Sequence, residues 1–102
     1  RIFHNGIDVG APLGTKILAA MEGTVSASSY SVVYGNYVIL SHHSGYSSMY
    51  AHMTSSLVKP GQHLRMGQPL GIVGNTGYST GTHLHFSVFN NGRALNPINY
   101  LH

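Results

Sequence analysis

Glycine spacing constrains this chain more than any other feature. Gly14, Gly23, Gly35, Gly45, Gly61, Gly67, Gly74, Gly77 and Gly92 cut it into short segments rich in Val, Ile, Tyr, Phe and Thr. Glycine weakens helix interiors and serves turns that need positive φ. β-Branched and aromatic residues instead fit a pleated, half-buried surface. The segments "TKILAAM", "GTVSASSY", "NYVILSHH", "YSSMYAHM", "PLGIVGNTG" and "THLHFSVF" therefore read as strands. No window sustains a 3.6-residue apolar period beyond one turn near "TSSLV". Asn91-Gly92, in "FNNGRAL", is a hairpin turn signal. Linkers, repeats and low-complexity tracts are absent. The expectation is one all-β domain, a sandwich or barrel, over residues 1–102.

Such a chain can bury one modest core. Apolar residues make up 42%, but charged residues only 7%, against roughly 25% in an average soluble domain. Disordered chains are charge-rich and apolar-poor, so disorder is excluded. The surface must be covered by uncharged polar groups, which suits a polar, largely uncharged polymer as a partner. The net charge of +3 comes from Arg1, Lys16, Lys59, Arg65 and Arg93 against Asp8 and Glu22. These cations are scattered, which leaves no nucleic-acid footprint, although mild basicity favours an anionic surface. Without cysteine there is neither a disulfide framework nor a thiolate metal site. No apolar run approaches the roughly 18 residues of a membrane span, and no signal peptide is visible. The chain opens without Met, three residues before a histidine, and reads as an excerpt of a larger or processed protein.

Eight histidines are a large excess. In "THLHFSVF", strand alternation puts His83, His85, Ser87 and Phe89 on one face and Leu84, Phe86 and Val88 on the other, facing the core. Cα atoms two apart on a strand are separated by about 6–7 Å. Both rings can then reach one metal, or one can bind while its neighbour serves a substrate. A solvated pair of surface histidines is the plain alternative. In "FHNGIDVGAP", His4 and Asp8 stand four apart, and Asp8 lies between Ile7 and Val9. A carboxylate among apolar neighbours needs a compensating cation or metal if it is buried. An extended chain would separate His4 from Asp8 by about 13 Å, so sharing an ion requires a bend, for which Gly6 is suited. An ordinary turn carboxylate beside an exposed histidine is the competing reading. His4, Asp8 and one strand histidine together would form a His₂Asp set, suited to zinc with an open position for water. Metal-bound water ionises near neutral pH, giving a nucleophile without Ser or Cys. Spacing leaves open whether His83 is a further ligand.

The ordered motifs "FHNGIDVGAPLGTKILAAMEGTV", "YGNYVILSHHSGYSSMYAHM", "VKPGQHLRMGQPLGIVGNTGYSTGTHLHF" and "NPINYL" run from Phe3 to the C-terminus. Their pattern resembles the lysostaphin- and LytM-type zinc peptidases, the M23 peptidase family. The resemblance implies one zinc ion held by His4, Asp8 and His85, with His83 and His52 (in "YAHM") as catalytic histidines. It also implies a mostly antiparallel sheet of the barrel-sandwich, duplicated hybrid type, with zinc at the floor of a substrate groove. The implied reaction is endopeptidase cleavage of bacterial peptidoglycan, at D-amino-acid cross-links or glycine bridges. The implied setting is the cell wall, periplasm or extracellular space of a bacterium or phage, as a monomeric module. Thr82 and Ser87 stand where the family commonly has Pro and Glu, which bears on substrate fit.

His42 and His43 read as turn residues after a strand, and His63 as an exposed turn residue. Tyr46 and Tyr50 flank the path to His52 and either line the groove or pack the sheet. The polar loop with Asn75, Thr76, Tyr78, Ser79 and Thr80 is expected to border the groove. Two rivals to the enzyme remain at this point. One is a non-catalytic wall-binding or amidase-activating domain of the same fold, and the other a metal-stabilised β domain binding another polysaccharide. The complete set His4, Asp8, His52, His83 and His85 favours the enzyme.

Overall fold

The computed structural model describes residues 7–74 and 83–100. Among these described residues nine strands follow in chain order: β1 (Ile7–Gly10), β2 (Lys16–Leu18), β3 (Gly23–Ser31), β4 (Gly35–Ser41), β5 (Tyr46–Ser56), β6 (His63–Leu64), β7 (Pro69–Val73), β8 (His83–Asn90) and β9 (Arg93–Leu95). Short 3₁₀ turns occupy His43–Gly45 and Pro97–Tyr100. Every ladder is antiparallel. The main path of the sheet runs β1-β8-β5-β4-β3-β6, with β7 joining β2 to β5 and β9 closing on β8. This is the all-β antiparallel architecture expected from the glycine-punctuated segments. Among the described residues no helix is long and apolar enough to cross a membrane.

The single turn of 3.6-residue period at "TSSLV" does not become helix, since β5 continues through Ser56. Ladder pairing of Met53, Ser55 and Ser56 with β7 outweighs the weak local preference. β1, β6 and β9 were not legible as separate strands. Each is four residues or fewer and is defined by its partner strand. His63 accordingly lies in β6 rather than a turn, although it is exposed as expected.

Alternation divides the sheet into two faces. Val38 and Leu40 are fully buried while Tyr37 and Ile39 between and beside them are half-buried. On β8, Phe86 and Val88 enter the core, and the Phe86 ring packs 5.2 Å from that of Tyr50. Leu84 is half-buried against the same cluster. Strand β5 is buried at every position from Ser48 to Met53, so it is covered on both faces and forms the spine of the fold.

A polar chain crosses this core. The Ala20 N–H donates to Tyr50 OH at 2.9 Å, and the Tyr50 hydroxyl lies 3.0 Å from Ser48 Oγ. Ser48 Oγ in turn meets His42 Nε2 at 2.8 Å. His42 Nδ1 contacts the Glu22 carbonyl at 2.6 Å. A carbonyl only accepts, so Nδ1 carries a proton and donates it there. His42 is thus more than a turn residue, because it ties the Glu22 segment to the spine. Gly23 permits the approach: a Cβ at that position would lie 2.6 Å from both His42 Nδ1 and the Ser41 carbonyl. Tyr50 belongs to the core, which settles the choice left open by the sequence in favour of packing.

Tyr50→Phe should cost about 1–3 kcal/mol, because the buried Ala20 N–H loses its acceptor. A shift of the denaturant midpoint measures this. Burial also raises the Tyr50 phenol above its ordinary value of 10.0. Above about pH 10 the unfolded chain then releases this proton before the folded one does, so stability falls as pH rises. Tyr50→Phe should show a shallower alkaline loss of stability than the parent.

Candidate active site

The site forms where β5 changes partners. Its first half pairs with β8, ending at Ala51 opposite His85, and its second half pairs with β7, beginning at Met53 opposite Val73. His52 stands between the two ladders. On the other edge the β4 register slips between Asn36 and Val38, opposite the same stretch of β5. Such a bulge re-aims a side chain and bends its strand. His52 absorbs the bend with φ of +62°, in the left-handed region. For a non-glycine residue this costs on the order of 1–3 kcal/mol. The conformation is held by its own N–H, which donates to the Tyr34 carbonyl at 2.7 Å.

The strain brings two imidazoles together. His52 and His85 are buried, at 6% and 8% exposure, with ring centroids 5.9 Å apart in an edge-on arrangement. Ala51, directly across from His85, contributes only a methyl group at that position. Ser87 Oγ lies 3.4 Å from His85 Nε2, a long hydrogen bond that steadies the ring. The Tyr34 ring covers His85 from the tip of the β3–β4 hairpin, with centroids 6.5 Å apart. Ser31 Oγ shapes that tip by accepting from the Tyr34 N–H at 2.9 Å.

The remaining expected site residues are placed by register. Asp8 on β1 is the direct cross-strand partner of His85, and His83 faces Gly10. Directly opposite residues of an antiparallel pair share a face of the sheet. Backbone register thus sets Asp8 opposite His85, whose ring meets that of His52, with His83 two residues before His85 on β8. Strand β1 begins at Ile7, so His4, Gly6 and the bend expected between His4 and Asp8 lie outside the described residues. So do Thr82 and the polar loop containing Asn75, Thr76, Tyr78, Ser79 and Thr80. Among the described residues no three His, Asp or Glu side chains converge as a metal set.

One contributor to the site escaped the sequence reading. Tyr34 precedes Gly35 in "YGN" and carried no charge or spacing signal, yet its carbonyl and ring hold both histidines. Away from the junction, the exposed His63 Nε2 lies within hydrogen-bonding distance, 2.9 Å, of the Glu22 carboxylate. This contact uses the second of the chain's two acids and adds little at such exposure.

A sequence profile of peptidase family M23 matches residues 2–97. The chain is 45% identical over 94 residues to the peptidoglycan DD-endopeptidase ShyC of Vibrio cholerae, covering 92% of this chain and 22% of that protein. Among solved structures, a zinc-containing peptidase from Vibrio cholerae superposes with a TM-score of 0.87 at 37% identity, covering 90% of this chain and 28% of that one. The catalytic domain of lysostaphin from Staphylococcus simulans gives a TM-score of 0.87 at 33% identity, covering 95% and 77% respectively. The chain spans about a fifth to a quarter of the curated relatives it matches.

Proposed function

Because the chain belongs to peptidase family M23, we propose that it is a zinc endopeptidase that hydrolyses peptide bonds of bacterial peptidoglycan. The observation that carries this reading is the buried His52–His85 pair at the branch of β5, with Asp8 across from His85. Nitrogen and oxygen donors of this kind suit zinc. His85 on its strand and Asp8 in register with it fit that donor set, and His4 would complete it. Zinc, when bound, supplies Lewis acidity at the scissile carbonyl and lowers the pKa of its water.

The protein's own groups do the rest. Ser87 and Tyr34 orient the His85 ring, the outer support that ligating imidazoles require. His52 and His83 are assigned the proton transfers: one imidazole takes the proton of the attacking water, and one protonates the departing amine nitrogen. An imidazolium beside the tetrahedral centre also stabilises the developing oxyanion. Burial of His52 keeps bulk water from its ring and strengthens these interactions. The sparse charge of the surface is compatible with a polar wall polymer, and the site of action is the cell wall, outside the cytoplasm.

The test is metal analysis together with digestion of purified peptidoglycan. The expected result is one zinc per chain, release of peptide fragments, loss of that release on chelation, and recovery with added zinc. Failure of the zinc-loaded protein to release any peptide from several wall chemotypes would overturn the enzyme reading.

A further inference from the structure

The left-handed backbone at His52 needs support where the ladder is broken. Asn36 pairs with Met53, and the β4 register slips directly after it, before Val38. A bulge of this kind disrupts the ladder, and backbone groups deprived of ladder bonds must find other partners. One side chain supplies them. Asn36 Nδ2 donates to the Met53 carbonyl at 3.2 Å and to the Thr54 carbonyl at 2.9 Å. Carbonyls only accept, so the amide nitrogen, with its two hydrogens, is the end that faces β5. Two residues earlier the Tyr34 carbonyl takes the His52 N–H at 2.7 Å. Gly35 between them turns with φ of +64°, a region that glycine enters freely. Tyr34 and Asn36 thus hold His52, Met53 and Thr54 one after another. Thr54 is fixed from its other side as well, because its Oγ1 donates to the Val73 carbonyl at 3.1 Å. Gly74 leaves room for this contact, since a Cβ there would overlap Thr54 Oγ1 and its backbone.

We propose that Asn36 is a positioning residue for the reaction. Its amide holds the two carbonyls that follow His52 and so fixes the left-handed backbone that aims the His52 ring toward His85. The proposal rests on the endopeptidase reading, in which His52 transfers a proton, and adds a residue that acts through His52. A non-glycine residue keeps a strained conformation only where its surroundings over-determine it. Here the Tyr34 carbonyl secures the N–H of His52, and Asn36 secures the next two carbonyls. Without the amide, only the bond to Tyr34 would oppose relaxation toward an extended strand. That relaxation would swing the imidazole away from its edge-on place 5.9 Å from the His85 ring. A misplacement of about 1 Å costs a reacting group about 100-fold in rate. An amide that merely stabilised the sheet would affect every variant of the site alike, and this difference is measurable.

The experiment is a double-mutant cycle on zinc-loaded protein, read as turnover of solubilised peptidoglycan. In the parent, Asn36→Ala should lower kcat about 10–100-fold while KM and zinc content stay unchanged. In His52→Ala, where no ring remains to be aimed, the same change should lower kcat by less than about twofold. Tyr50→Phe removes a buried hydrogen bond from the same strand away from His52, and should leave kcat at the parent's value. Loss of stability alone then does not mimic the effect. An equal fall in both backgrounds, or kcat of Asn36→Ala within threefold of the parent, would overturn the proposal. Asn36→Ser, which keeps one shorter donor, takes the place of Asn36→Ala in the cycle if circular dichroism shows that variant unfolded. Should the parent release no peptide, the endopeptidase reading falls, and amide hydrogen exchange judges the positioning by itself. The His52 N–H should then exchange about 10-fold faster in Asn36→Ala than in the parent, with the Leu40 N–H unchanged. Equal exchange at His52 would overturn the positioning role.

Discussion

His85→Ala should lose zinc and activity together, whereas His83→Ala should keep zinc and lose most of its turnover. The two residues are neighbours on one strand, but their registers differ. His85 is paired with Asp8, the one acid on β1, and is steadied by Ser87 and Tyr34. His83 is paired with Gly10, which offers no donor atom from a side chain. Removing a ligand forfeits the several kcal/mol of charge stabilisation that a metal supplies. At 1.36 kcal/mol per tenfold, His85→Ala should be slowed about 10³-fold or more. Removing a general acid or base costs about 10²–10⁴-fold, so His83→Ala should be nearly as inactive while still holding one zinc. Metal content therefore separates the two variants where activity alone does not. Circular dichroism checks that His85→Ala, which empties a buried position, remains folded. If His83→Ala also loses stoichiometric zinc, His83 is a ligand and the assignment is wrong.

How much of this was legible in the sequence depends on whether the deciding contact was local. The long strands were readable because alternation is local: "THLHFSVF" separates His85 and Ser87 from Phe86 and Val88 as the structure does. Strands β1, β6 and β9 were not, since two to four residues carry no period and take their conformation from the ladder they join. His42 read as a turn residue because Glu22 and Ser48, which hold its ring, lie 20 and 6 residues away. For the site, family resemblance picked out His52 as one of several histidines, but no local signal announced its left-handed backbone. That conformation arises because β5 exchanges β8 for β7 at this residue, a property of sheet topology. Tyr34 was invisible for the same reason. Its effect depends on a hairpin tip folding back onto a strand that follows it in the chain.

His52→Ala should retain zinc, lose about 10²–10⁴-fold in turnover, and keep the strain of the parent. His52→Gly should be equally inactive yet more stable than His52→Ala by about 1 kcal/mol. The reason is that φ of +62° is costly for any residue with a Cβ and free for glycine. Both variants keep the backbone N–H that donates to the Tyr34 carbonyl, so their difference reports conformation and not a lost hydrogen bond. Ring and backbone are thereby tested separately at one position: turnover reads the imidazole, and the denaturation midpoint reads the twist that aims it. Turnover within threefold of the parent in either variant would remove His52 from proton transfer. Equal stability of the two would mean that the left-handed conformation is not strained, and that the branch of the sheet holds His52 without cost.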